Sequence, residues 1–307
     1  MFHQLARYIG ETPTWHFWLP WLAFLFTAIT IRYGLGIAPP NLQHTHYVLK
    51  GIGFYALPYF FTLLLYSICT HTWGYWQASG FWVLSISIIA VLYLNQYGRL
   101  AYIFGFEQNP ATRLFFHKIS YNLQTICLYL LIPLLYGWWT SELKETHFYG
   151  CNAENTKLSL YFVMLLGMMP LLWWASFRED FLITYPRYRP ATAENYWGIS
   201  PIWTVGSYEV SYVFQFLSLE IFFRGFIVFA LAKYVGNGSV FVMVSVYAFL
   251  HFWKPLPETI GSVAGGFILG MFAYYSRSVY GGMIIHVGIA LAMELFAWWQ
   301  LYARGRL

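Results

Sequence analysis

The sequence predicts an all-α polytopic membrane protein, and three observations carry that prediction. Of its 307 residues only 29 are charged, or 9%, against roughly a quarter in ordinary soluble domains. Hydrophobic residues make up 59% and aromatic residues 22%. That leaves too little polar surface to coat a soluble globule and rules out a disordered chain. The apolar residues are gathered into long runs, as bilayer-crossing helices of about 20 residues require. The net charge of +5 is dispersed, with no Lys/Arg cluster dense enough to follow a phosphate backbone, so nucleic acid is not expected as a partner. Cys69, Cys127 and Cys151 show no CxxC spacing, which implies neither a disulfide framework nor a thiolate metal site. The first apolar run begins near Trp15 and has no small-residue cleavage site behind it, so no signal peptide is expected.

Nine runs read as spans, near 16–36, 51–70, 80–97, 121–139, 157–176, 204–233, 238–253, 258–276 and 280–302. The sixth is longer than a bilayer requires, so its start is expected in the interface, and the seventh is short. Pro20, Pro58, Pro133 and Pro170 fall in or near spans, where neighbouring groups can satisfy the carbonyls they free. Trp73-Gly74-Tyr75-Trp76 and Trp138-Trp139 stand at span ends, as the interfacial aromatic belt requires. An outside N-terminus puts eleven Lys/Arg in inside segments and five outside, which favours that orientation. The most polar internal stretch runs from Phe177 to Pro201. It divides the chain into an N-terminal membrane region (1–176, about five spans), a connector (177–203) and a C-terminal region (204–307, four spans). A solvated loop is the plain reading of that connector, and a membrane-surface segment is the other.

Three carboxylates fall within predicted spans: Glu209, Glu220 and Glu294. Each costs roughly 2.5–3.5 kcal/mol at the bilayer centre on insertion scales, so each needs a reason. Arg224 follows Glu220 by four residues, a spacing that puts both on one helix face within ion-pair reach. His251 ends the seventh span and His286 lies in the ninth. Between them Gly261, Gly265, Gly266 and Gly270 give two GxxxG spacings, which permit close helix contact. One glutamate, one arginine and two histidines suit hydrolysis, which needs a base for water, a cation to hold that base and a donor to the oxyanion. The plainer reading is a polar cluster that fixes helix register. Two other classes compete: a haem protein with His251 and His286 as axial ligands, and a proton path through Glu209, Glu220 and Glu294.

The C-terminal region resembles the CAAX-protease and bacteriocin-processing (CPBP) family of intramembrane proteases, over roughly residues 204–302. The family's EExxxR motif falls on Leu219-Glu220-Ile221-Phe222-Phe223-Arg224, its FxxxH on Tyr247 to His251, and its HxxxN on His286 to Ala290. Leu219 replaces the first glutamate, Ala290 the polar residue of the third motif, and Tyr247 the leading phenylalanine. A branch with a single glutamate is the nearer likeness, sharing the stretch His251, Lys254, Pro255 and Glu258. The resemblance implies a four-helix protease core and an intramembrane endopeptidase acting on a membrane-bound or lipidated substrate in the bilayer. It implies Glu220, Arg224, His251 and His286 as the catalytic set. Arg224 would hold Glu220, His251 would help activate water, and His286 would stabilise the oxyanion. Glu258 and Glu294 are additional candidates for the lost carboxylate, with a helix-start carboxylate and a helix-contact residue as their plainer readings. No cofactor is expected; a zinc ion, if bound, would take His251, His286 and Glu220 as ligands. The alternative is a catalytically inactive homologue that serves as a membrane-bound scaffold. A multi-pass protein of the plasma (inner) membrane is expected.

Overall fold

A computed structural model describes residues 2–12, 15–40, 47–98, 109–154 and 156–306, the side chains of 2–4 excepted. The described chain is helical, with no strand among those residues. The helices used below are α1 (Phe2–Glu11), α2 (Trp15–Tyr33), α3 (Tyr47–Thr70), α4 (Ser79–Tyr97), α5 (Arg113–Trp139), α6 (Leu158–Ala175), α7 (Glu179–Thr184), α8 (Thr192–Trp197), α9 (Pro201–Val235), α10 (Gly238–Leu250), α11 (Leu256–Ser276) and α12 (Tyr280–Ala303). The protein is an all-α, polytopic integral membrane protein.

Every one of the nine expected runs is helical, but among the described residues seven helices, rather than nine, are long and apolar enough to cross a bilayer. The count becomes eight if the bent pair Leu5–Glu11 and Trp15–Tyr33 is one span. The helix Gly238–Trp253 falls short. Sixteen residues rise about 24 Å, less than the ~30 Å hydrocarbon core. Gly236, with φ +53°, closes the helix before it, and Lys254-Pro255 stops it at its other end. At 35 residues, α9 is longer than a span needs, and its exposed Ile202 and Trp203 suit the interface expected for its start. Within α9 the hydrogen-bond register widens to a π-helix over Ile221–Ile227, a form that occurs mostly as short insertions at functional sites.

The chain divides into two compact units, each assembled from separate segments. The first holds residues 1–98, 132–155 and 221–279. Its centre is α10, in which all twelve residues from Gly238 to Phe249 are buried. A helix apolar on every side must be covered on every side. α3 and α11 pack along it. Of its two buried serines, Ser239 and Ser245, Ser245 accepts from Trp21 Nε1 at 2.9 Å, meets Thr62 Oγ1 at 2.8 Å and donates to its own helix at Phe241 O. Gly266 and Gly270 lie against Tyr247, Met243 and Val240 of α10, while Gly261 and Gly265 face open space. Two of the four glycines in the predicted spacing therefore do the close packing.

The second unit holds residues 99–131, 156–220 and 280–307. Here α6 runs along α12, with Tyr161 and Leu165 seated against Gly281 and Gly288. The connector is not the solvated loop of the plain reading. Phe181, Leu182 and Tyr185 form a buried cluster with Ala297 and Leu301 of α12. Glu194 is buried as well, and accepts from Tyr188 Oη at 2.7 Å, from Ala191 N at 2.9 Å and from Thr204 Oγ1. A buried carboxylate needs such donors, and the connector folds so that it has them.

Candidate active site

Two of the four expected catalytic residues meet in the second unit. Glu220 is the last residue before the π-helical stretch of α9 and is fully buried. Its Oε1 lies 2.7 Å from Nδ1 of His286 on α12. The approach depends on Gly282, because a Cβ there would occupy the place of Glu220 Oε2. Glycine at 282 thus lets a carboxylate from α9 sit against the backbone of α12, one turn before the histidine it holds. An ionised carboxylate only accepts, so toward an ionised Glu220 the Nδ1 proton points at its oxygen, and in the neutral ring Nε2 then carries the lone pair. With a side chain 17% exposed beside a carboxylate at 0%, His286 is the reachable member of the pair.

Aromatic rings lead away from this pair along one face of α9. The His286 ring lies 4.5 Å from Phe216, Phe216 lies 4.7 Å from Tyr212, and Tyr208 stacks on Tyr212 at 5.4 Å and on Tyr188 at 5.5 Å. The spacing of four residues between Tyr208, Tyr212 and Phe216 on α9 is visible in the sequence. Ala290, which replaces the polar residue of the third motif, is buried in this cluster with Tyr188, Tyr208 and Tyr212. The position one turn past His286 is therefore tyrosine-packed.

Arg224 and His251 belong to the first unit. Arg224, 1% exposed, lies in the π-helical stretch with its guanidinium carbon 4.3 Å over the ring of Tyr247. The same tyrosine ring lies 4.5 Å from His251, and its carbonyl oxygen is 2.9 Å from His251 Nδ1. A carbonyl only accepts, so that nitrogen carries a proton, and in the neutral ring Nε2 has the lone pair. Thr259 donates to the His251 carbonyl at 2.8 Å, and Tyr33 Oη donates to Lys254 O at 2.6 Å. These bonds fix the turn on which the histidine stands. Tyr247, read from sequence as a mild change, is the residue that Arg224 and His251 share.

The two additional candidate carboxylates are Glu258 and Glu294. Glu258 stands in the first turn of α11, with Oε2 3.9 Å from Lys254 Nζ. Glu294, two turns after His286, accepts the backbone N–H of Arg187 on both oxygens at 3.0 Å. Glu294 thus ties the connector to α12. Among the described residues no group of three or more His, Cys, Asp or Glu side chains is gathered as metal ligands would be, so no step below is routed through a zinc ion.

The sequence model of the type II CAAX prenyl endopeptidase Rce1-like family matches residues 201–292. The likeness to that family covers this segment alone. It runs through α9, α10 and α11 and into α12, and contains Glu220, Arg224, His251 and His286. Glu294 and the first 200 residues lie outside the Rce1-like match. No curated protein and no solved structure matches the chain.

Proposed function

We propose that the protein is an intramembrane endopeptidase that cleaves a membrane-associated, lipidated protein near its C-terminus, as the name of the matched CAAX prenyl endopeptidase family suggests. The observation that carries the reading is the 2.7 Å contact of a fully buried Glu220 with His286 Nδ1. A carboxylate so placed holds the imidazole in the tautomer whose Nε2 can take a proton, and stabilises the imidazolium that results. In the first step Nε2 of His286 removes a proton from water while the water oxygen attacks the scissile carbonyl. In the second the imidazolium returns that proton to the leaving amine as the C–N bond breaks. This makes His286 a base and then an acid, rather than only an oxyanion donor. Arg224 and His251 remain in the proposed catalytic set on the strength of the sequence motifs, with His251 Nε2 as a further acceptor.

The test is cleavage of a prenylated peptide by purified protein in lipid nanodiscs. Glu220→Gln should keep the fold and lower kcat by roughly three to four orders of magnitude, the scale seen when the orienting carboxylate of such a pair is neutralised. Retention of near wild-type turnover by Glu220→Gln or by His286→Ala would remove the pair from the mechanism. Leu219 and Ala290, in place of two polar family residues, favour a second reading as an inactive membrane scaffold. Well-folded wild-type protein that binds the peptide without cleaving it would establish that reading instead.

A further inference from the structure

We propose that Arg32 and Tyr33, at the end of α2, position the imidazole of His251 for the reaction, so that a helix outside the Rce1-like match supplies part of the catalytic apparatus. The inference rests on the endopeptidase reading above and on the place of His251 in its catalytic set. The residues that position His251 all lie in the first unit.

His251 stands where α10 gives out. After Leu250 the chain makes a single 3-10 turn, His251–Trp253, and Lys254-Pro255 then lead into α11. A helix end leaves carbonyls without partners in their own helix, and one short turn supplies few donors. Within the turn, Lys254 N–H reaches His251 O at 2.8 Å. Further donors come from α2 and α11. Arg32 Nε donates to Phe252 O at 2.8 Å, Tyr33 Oη donates to Lys254 O at 2.6 Å, and Thr259 Oγ1 donates to His251 O at 2.8 Å. Tyr33 Oη also lies 2.7 Å from Thr259 Oγ1. The Arg32 guanidinium carbon is 4.9 Å over the Tyr33 ring, a cation–π contact that favours one arrangement of the two side chains.

Aromatic rings hold the same turn. Phe252 stacks on Phe249 at 4.6 Å, and Phe54 of α3 lies 5.2 Å from Phe249 and 6.1 Å from Phe252. Phe24, two turns before Arg32 on α2, stacks on Phe249 at 5.9 Å. Apolar burial is non-directional, so it keeps the turn in place without fixing its rotation. Hydrogen bonds are directional, and those from Arg32, Tyr33 and Thr259 supply what the rings do not.

The rotation of the turn sets the direction of the imidazole. His251 Nδ1 is tied to Tyr247 O, one turn back on α10, at 2.9 Å, while the His251 carbonyl is tied to Thr259. With the ring anchored at Nδ1, the aim of Nε2 follows the backbone of the turn. Misplacement of a catalytic group by about 1 Å can cost ~100-fold in rate. Arg32 and Tyr33 both direct a donor at a carbonyl within three residues of His251, and that concentration separates a positioning role from general helix packing.

The experiment reads cleavage of a prenylated peptide by the full chain in nanodiscs, together with nitrogen-15 NMR of histidine-labelled protein in which His251 is assigned by comparison with His251→Gln. Tyr33→Phe keeps the ring and removes the hydroxyl. It should lower kcat about 3- to 10-fold at unchanged KM, the scale of one neutral hydrogen bond, and shift the His251 nitrogen signals. Arg32→Met combined with Tyr33→Phe should reach about 100-fold. Arg32→Lys, which keeps a donor, should restore most of what Arg32→Met loses. Tyr59→Phe is the comparison, because it removes a buried α3 hydroxyl that meets Ser85 Oγ at 2.9 Å. It should lower thermal stability without moving kcat or the His251 signals. Unchanged His251 signals in Tyr33→Phe overturn the proposal, as does an equal loss of kcat in Tyr59→Phe. A His251→Ala protein that cleaves at the wild-type rate overturns it as well, and leaves the Glu220–His286 pair in place. Wild-type protein that cleaves nothing, with His251 signals that respond to Tyr33→Phe but not to Tyr59→Phe, leaves the positioning of His251 standing and refutes the endopeptidase reading.

Discussion

The helices α10 and α12 solve opposite problems. In α10 every residue from Gly238 to Phe249 is buried, and the hydrogen bonds of Ser245 are closed by Trp21 and Thr62. In α12 buried and accessible positions alternate, and the helix carries His286, Glu294 and Gln300. Its first turn is notched by Gly282 to admit a carboxylate from α9. Burial on all sides yields stability and no reactivity. A notch that admits a charge gives up packing to hold an imidazole in one tautomer.

Substitutions at the two helices should separate these roles, and the largest effect is expected at the notch. Gly282→Ala places a methyl where Glu220 Oε2 lies. A displacement of about 1 Å at a catalytic group can cost ~100-fold in rate, and overpacking costs about 1–3 kcal/mol. We expect cleavage to fall by at least that factor while the protein remains monodisperse. A Gly282→Ala enzyme with unchanged kcat would mean that the close approach is incidental.

Next comes the closed helix. Ser245→Ala leaves the Trp21 N–H without its acceptor in a buried site, at a cost of about 1–3 kcal/mol. Thermal unfolding in nanodiscs should register the loss, with kcat unaffected in the folded fraction. The smallest effect is expected at Gly265, whose Cβ direction is open. Gly265→Ala should be neutral or stabilise α11 by up to about 1 kcal/mol. A clear loss there would show that the stretch is packed by a partner in the membrane.

What the sequence made legible follows from what is local. Long apolar runs fix helices, so each of the nine runs is helical, and the brevity of 238–253 could be read from Gly236 and Lys254-Pro255. The pairing of Glu220 with His286 was also within reach, because both stand in motifs. Three features were not. The π-helical turn after Glu220 leaves no mark in residue type. Gly282 reads as one more glycine of a membrane helix, since its purpose lies on another helix 62 residues away (282 − 220). The connector looked polar, yet Glu194 and Glu294 use that polarity internally, one for Tyr188 and Thr204 and the other for the Arg187 backbone. Long-range pairing, and not local propensity, decides such cases.

The central claim is that Glu220 fixes His286 with its proton on Nδ1. Nitrogen-15 NMR of histidine-labelled protein in nanodiscs, with His286 assigned by comparison with His286→Gln, tests it most directly. The account predicts a neutral imidazole protonated at Nδ1, with a strongly hydrogen-bonded proton that shifts when Glu220 is replaced by Gln. A His286 protonated at Nε2 alone, or a spectrum indifferent to Glu220→Gln, would contradict it.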